Sequence, residues 1–302
     1  MSRKDTDMYF TSLIADSLNQ AIFAGHLYLE GNEPSITRVV MYRDGQWFHL
    51  YDLDEIVYAT ECRAPTQAGQ RGDICFLGRR GLFRENPRGQ QPRDSRLTPK
   101  AGYFFSLKEV AGTLYAAGTQ NQLFRYDGQS WQEQDTGLYA PLVDQVDCTL
   151  NAIDGFAAND LYAVGLRGAI WHWDGSLWTS LPSPTNLPLN AVLCVEDGQV
   201  YISGSGGTLF SGSRQTGWRD IGDPAVSGET FESLAFFQGR LYIAARTKLL
   251  SFDGQALSPC NIAVEGEKAF FYLDACADAL WTAGNDCVLV FDGNTWARHV
   301  CP

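Results

Sequence analysis

The chain has 302 residues, 45% of them hydrophobic and 19% charged, and a formal net charge of −12. That length allows one domain with a large core and leaves too little for a second substantial one. The acidic balance argues against general nucleic-acid binding, which depends on neutralising phosphates. The polar start, Met1-Ser2-Arg3-Lys4-Asp5-Thr6-Asp7, lacks the apolar run of a secretory segment, and no stretch approaches the length needed to span a bilayer. The expected location is therefore the cytoplasm.

Residues 1–20 place Asp5-Thr6-Asp7 before Met8-Tyr9-Phe10, Leu13-Ile14 and Leu18, a pattern that fits a short capped helix or an extra closing strand. They read as an extension to a repeat domain over 21–302. Within that domain one phrase recurs: aliphatic–aromatic–x–x–Gly, a short gap, then aromatic–Asp–Gly and a Trp. The clearest copies are Leu114-Tyr115-Ala116-Ala117-Gly118 with Tyr126-Asp127-Gly128 and Trp131, and Leu161-Tyr162-Ala163-Val164-Gly165 with Trp173-Asp174-Gly175 and Trp178. A third is Leu280-Trp281-Thr282-Ala283-Gly284 with Phe291-Asp292-Gly293 and Trp296. Short strands and Gly turns repeating about every 40 residues indicate an all-β fold, a β-propeller.

The turn glycines Gly45, Gly89, Gly128, Gly175, Gly217, Gly254 and Gly293 count seven blades of four antiparallel strands, with six as the nearest alternative. The strand aromatic and its equivalents (Tyr28, Cys75, Tyr115, Tyr162, Tyr201, Tyr242 and Trp281) count the same way. In the third blade the strands are expected over 103–110, 113–118, 122–126 and 130–134. Asp-Gly suits hairpins that need φ > 0, and the Trp after each turn is expected to fill the gap between neighbouring blades. The second blade departs from the pattern: Pro87-Arg88-Gly89 replaces the Asp-Gly turn and the Trp is absent. Residues 79–100 carry seven basic side chains against Glu85 and Asp94, either a solvated loop or a contact for an acidic partner.

Strand order puts the second-to-third strand connections and the inter-blade connections at one face. The former supply Arg79, Arg80, Arg167, Arg246 and Lys248; the latter supply Asp52, Asp54, Glu55, Asp144, Asp147, Asp223, Glu265 and Glu267. A mixed-charge face of this kind suits a specific protein contact. Tyr139-Ala140-Pro141-Leu142 and residues 182–188 are apolar, Pro-bearing connections, stiff enough to lose little entropy on docking.

Signals for chemistry are weak. His172 is expected to be satisfied locally, while His49 and His299 sit in outermost strands, and no His can be paired with a nucleophile. The eight cysteines form no C-x-x-C and no zinc spacing; Cys75, Cys148, Cys194 and Cys276 read as small hydrophobes in strands. Ser203-Gly204-Ser205-Gly206-Gly207 joins strand to strand without the helix and Lys of a P-loop. No metal, cofactor or catalytic residue is expected.

The phrases at 159–165 and 168–178 resemble a repeat common in bacterial propellers, loosely grouped with kelch-like and photosystem-assembly-factor-like repeats. The resemblance is strongest over 101–222 and implies a fold alone. Trp173-Asp174 matches the WD dipeptide, but the upstream Gly-His of WD repeats is missing, and the paired glycines of kelch repeats are reduced to one. The first functional expectation is a non-catalytic protein-binding propeller, a monomer on its own, binding neither nucleic acid nor membrane. An acidic single-domain protein of this kind resembles immunity proteins of bacterial toxin systems, which implies a toxin partner met by acidic loops. The alternatives are a hydrolase or lyase using Arg79, Arg167, Arg246 and Lys248 to hold a small anionic or sugar substrate, and an assembly or scaffold factor.

Overall fold

The computed structural model describes residues 7–28, 36–64, 72–87, 89–140, 148–266, 268–285 and 287–301. They form seven four-stranded antiparallel sheets in simple meander order. The sheets span 7–53, 57–96, 104–133, 150–180, 189–220, 233–259 and 272–300, one for each turn glycine of the sequence. The fold is a seven-bladed all-β propeller. No described helix is long and apolar enough to cross a membrane.

The third blade shows why the repeated phrase folds as it does. Its strands are Phe104–Val110, Thr113–Gly118, Leu123–Tyr126 and Trp131–Glu133, within a residue or so of the expected spans. At the last turn Asp127 Oδ1 accepts from the backbone N–H of Gln129 (2.9 Å) and Ser130 (2.8 Å), while Gly128 takes φ of 97°. Asp174, Asp253 and Asp292 close their turns in the same way. The Asp of Asp-Gly is thus a turn-closing acceptor. These backbone hydrogen bonds hold all four carboxyls below the usual range, Asp174 at about 2.

The glycine that ends the second strand has a different cause. A Cβ on Gly118, Gly165, Gly204 or Gly284 would overlap the backbone carbonyl of Tyr103, Thr149, Pro188 or Ala269, the residue leading into the innermost strand of the same blade. Close backbone approach therefore excludes any side chain there. The Trp does fill the gap between blades. Trp178 is 3% exposed and donates Nε1–H to the carbonyl of Gln134 in the preceding blade at 2.8 Å. Trp131 packs edge-on to Phe83 of its preceding blade, ring centroids 5.1 Å apart.

By contact density the chain divides into two compact units, each described by itself. One unit, 59–231, holds the third to fifth blades and most of the second. Its apolar clusters each join consecutive blades: Phe83 with Phe104 and Leu114, Leu123 with Leu161 and Trp178, Tyr162 with Val200 and Phe210. Innermost strands are also stitched by polar side chains. Ser106 Oγ accepts from the N–H of Ile153 (3.3 Å), and buried Asp154 accepts from those of Cys194 (2.7 Å) and Gly155 (2.9 Å). Burial raises the Asp154 pKa.

The other unit, 1–58 with 232–302, holds the first, sixth and seventh blades. Here the N-terminal segment takes its place: Asp7–Ser17 is the first strand of the first blade. Of the two forms expected within 1–20, the described part takes the strand. It is one of the blade's own four, so the blade begins before residue 21. It packs on the seventh blade, whose Asp274 accepts from Ala15 N–H (2.8 Å) and whose Trp281 donates to the carbonyl of Ser17 (2.9 Å). First and last blades therefore meet through packing and these hydrogen bonds, without a shared sheet, each complete in its own strands.

Two sequence landmarks shift. Tyr28 pairs with Asp7 at the far end of its strand, and the register gives the place of Tyr115 to Ile22. Cys148 and Cys276 lie just outside strands, whereas Cys75 and Cys194 lie within them; all eight cysteines are free thiols. Burial pushes the Cys260, Cys276 and Cys301 thiols up to about 11, so none is a poised thiolate.

Candidate functional site

A meander sends its second-to-third strand connection and its outgoing connection to the same end of the blade. In the 59–231 unit that end carries Arg79, Arg80, Arg167 and Tyr139. The fourth blade turns through Leu166-Arg167-Gly168, with Arg167 at φ 61° and Gly168 at φ 71°. Gly168 lies so close to the carbonyl of Thr185 that a Cβ would overlap it, which presses the turn onto the 182–188 connection. Arg167 is left exposed at the tip, and no carboxylate among the described residues pairs with it. A left-handed residue with a Cβ costs about 1 kcal/mol relative to glycine.

The 182–188 connection is held by its own hydrogen bonds. Ser183 Oγ donates to the carbonyl of Thr185 (3.0 Å) and Leu187 N–H to Thr185 Oγ1 (3.1 Å). Ser205 N–H of the fifth blade donates to the carbonyl of Pro188 (2.9 Å), and Gly206 leaves room for the Leu187 side chain, which is 40% exposed. Arg167, Leu187 and Gly206 thus form a stiff, part-apolar surface across two blades.

Across the second and third blades the arrangement differs. The Arg79 guanidinium lies 5.0 Å from the centroid of the Tyr103 ring, which is 38% exposed and anchored where Tyr103 N–H donates to Thr119 Oγ1 (3.1 Å). No described carboxylate pairs with Arg79. Tyr139 instead donates to Gln120 Oε1 (3.2 Å) beneath the Lys100 ammonium, which pairs with Asp135 (2.8 Å) and Glu133 (2.7 Å). Tyr103 was not singled out in the sequence as a site residue. Its partner Arg79 stands 24 positions earlier, and only the blade-to-blade contact joins them.

Most of the 79–100 basic run is absorbed internally. Arg84 pairs with Asp94 (2.6 Å), Arg93 approaches Glu85 (4.0 Å), Arg96 donates to the carbonyl of Arg80 (3.3 Å), and Lys100 has the two acids just named. Exposed Arg80 shares this framework, and Arg88 lies outside the described residues. Of the acids expected on this face, exposed Asp223 caps a short turn through Ala225 N–H (2.8 Å), and Asp144 and Asp147 lie outside the described residues.

In the other unit, Asp52 sits in the outermost strand Gln46–Leu53 rather than in a connection. It accepts both Arg38 nitrogens at 2.9 Å and lies 2.9 Å from His49 Nε2, so the Arg38 hydrogen bonds hold its pKa at about 2. Asp54 is exposed in the connection that follows and Glu55 is buried. Arg246, at φ 54°, pairs with Glu232 at 2.5 Å, and Lys248 begins the strand Lys248–Phe252. Exposed Glu265 offers its carbonyl to Arg298 Nη1 (2.7 Å); Glu267 is outside the described residues.

For chemistry the described residues offer little. No group of three His, Cys, Asp or Glu is placed to hold a metal. His172 is 3% exposed and 2.7 Å from Asp160, satisfied locally as expected, and His299 stacks on Tyr42 with centroids 4.1 Å apart. A groove of about 390 Å³ runs between Leu181, Pro182 and Pro184 and the outermost hairpin of the fifth blade, with Arg214 and Trp218. None of the cations offered for substrate binding lines it.

The fold defines the class. The chain superposes on virginiamycin B lyase from Staphylococcus aureus with a TM-score of 0.73 at 12% identity, covering 94% of this chain and 93% of that one. YCF48 bound to D1 peptide matches at a TM-score of 0.68 and 16% identity, covering 98% and 93%, and the WD40 β-propeller domain of Doa1 at 0.70 and 12%, covering 95% and 93%. At such identities the likeness is one of fold. No family model matches the chain. Sequence carries the rest: over 249 residues it is 34% identical to the immune protein Tsi7 of Pseudomonas aeruginosa, 81% of this chain and 79% of that protein. The chain belongs to the Tsi7 immune-protein family.

Proposed function

We propose that this protein is an immunity protein, acting in the cytoplasm, that binds a toxin and neutralises it by seating the loop face of the 59–231 unit over the toxin's active site. The observation that carries the reading is the 34% identity to the immune protein Tsi7 across most of both chains. The geometry supports it in three ways. A propeller leaves only short sheet edges, so its connections are the surfaces free to vary and to bind. The 182–188 connection is held by its own hydrogen bonds, so little entropy is lost when it docks. Exposed Tyr103, Leu187 and Arg167 have the aromatic, apolar and arginine character of interface anchors.

The test begins with capture of the partner by tagged protein from its native cells. The captured protein is then produced in a naive host with and without this chain. A stoichiometric partner that stops growth alone and is harmless with the chain is the expected result. A captured partner that leaves growth unaffected contradicts the reading.

A further inference from the structure

We infer that the loop face of the 59–231 unit recognises a carboxylate-bearing epitope flanked by apolar side chains, although the chain as a whole carries a net charge of −12. The inference rests on the immunity reading only in calling the owner of that epitope a toxin.

Polarity is decided by which charges on the face remain uncommitted. Of the acids, Asp135 is held by Lys100, and exposed Asp223, which caps its own turn, lies in the connection after the fifth blade, past the blades that carry Arg79 and Arg167. Of the bases, Lys100 is neutralised by Asp135 and Glu133. Arg79 and Arg167 stand apart, with no described carboxylate paired to either. They are placed in different ways, which makes the two observations independent. Arg79 is held against the exposed face of Tyr103 at 5.0 Å, so its guanidinium is oriented before any partner arrives. A guanidinium held over an aromatic face still has N–H donors for a carboxylate. Arg167 is held at the tip of a left-handed turn whose next residue, Gly168, abuts Thr185. Beside it the same connection exposes Leu187. An Asp or Glu with an aliphatic neighbour satisfies both groups at the Arg167 end, and a second carboxylate satisfies Arg79.

Net charge then acts at a different range from contact. The negative field of the whole chain acts on approach and is screened over about 8 Å at physiological salt. The two arginines act in the closed interface, where water is excluded and pairing is stronger. A basic toxin with an acidic patch at its docking site meets both conditions.

The test uses two labelled peptides of equal length, alternating Glu-Leu and alternating Lys-Leu, titrated against the full-length protein and its Arg79→Glu and Arg167→Glu variants. Circular dichroism and Tm confirm that the variants remain folded. The Glu-Leu peptide is expected to bind the wild type in preference to the Lys-Leu peptide, weakening about 10-fold in each variant. Tighter binding of the Lys-Leu peptide, or Glu-Leu binding indifferent to both substitutions, overturns the inference whatever protein is captured from cells. Failure of the captured partner to arrest growth, with arginine-dependent Glu-Leu binding intact, removes the immunity reading and leaves the polarity standing.

Discussion

The fourth and second blades reach the same four-stranded sheet by different means. In the fourth, Asp174 closes the last turn through the N–H groups of Ser176 (2.8 Å) and Leu177 (2.9 Å), and Trp178 is buried against the third blade. The second lacks both residues. Its outermost strand, Arg93–Arg96, is wholly exposed and tied by Arg84–Asp94 (2.6 Å), while buried Glu85 takes Arg63 at 2.9 Å. A buried Trp and an Asp-closed turn give way to ion pairs, whose net contribution at a surface is small, and to a turn held by Gln90 N–H on the carbonyl of Pro87 (3.2 Å). Charge thus differs in role within one unit: Arg84 of the second blade's outer strands is tied into the fold, whereas Arg79 and Arg167 pair with no described carboxylate.

The largest effect is expected where the fourth blade is strongest. Trp178→Ala removes a 3%-exposed indole and its hydrogen bond to Gln134, and should lower unfolding stability by about 3–5 kcal/mol in denaturant titration. In the second blade, Glu85→Ala strands Arg63 and should cost about 2 kcal/mol, reduced but not abolished by high salt. A loss as large as that of Trp178 would show that ion pairs replace the Trp fully. Gly165→Ala places a Cβ on the backbone of Thr149 and should cost about 1–3 kcal/mol, whereas Gly112→Ala, with open space around it, should cost no more than its φ of 83° imposes.

The smallest effect is electrostatic. Because the folded-state pKa of Asp174 lies at about 2, below its unfolded value, its contribution is complete above about pH 4 and is lost as pH falls through 2. Asp174→Asn should reduce the slope of stability between these limits without removing it, since Asp127, Asp253 and Asp292 are also held low, and should leave it nearly unchanged above pH 5, read from Tm against pH. An undiminished slope in the variant would place the acid sensitivity elsewhere, with Asp52 the next carboxylate to substitute.

Blade number, strand order and the inter-blade Trp were legible because a repeat states each constraint several times over. Tyr126-Asp127-Gly128 and Trp173-Asp174-Gly175 mark the same turn twice, so one degenerate copy does little harm. Residues 1–20 were harder, since the first strand has no preceding copy to fix its register, and a hydrophobic run of that length fits helix or strand. The immunity expectation drew on charge and size, and its family now rests on the relationship to Tsi7. The face itself was only half legible. Arg79 and Arg167 could be placed at one end of their blades by topology, but commitment depends on neighbours in space. Asp52 looked like a connection acid and proves to be locked to Arg38; Lys100 and Arg84 looked available and are not.

The most direct measurement compares the two ends of the same unit. Asn186→Trp adds bulk to the exposed 182–188 connection, and Gln129→Trp adds it to an exposed turn at the opposite end of the third blade. Each variant is produced together with the captured toxin, and survival of the host is counted. The account predicts that Gln129→Trp protects like the wild type, whereas Asn186→Trp loses protection by about 100-fold or more in binding. Full protection by Asn186→Trp, or its loss in Gln129→Trp alone, would contradict the assignment of this face.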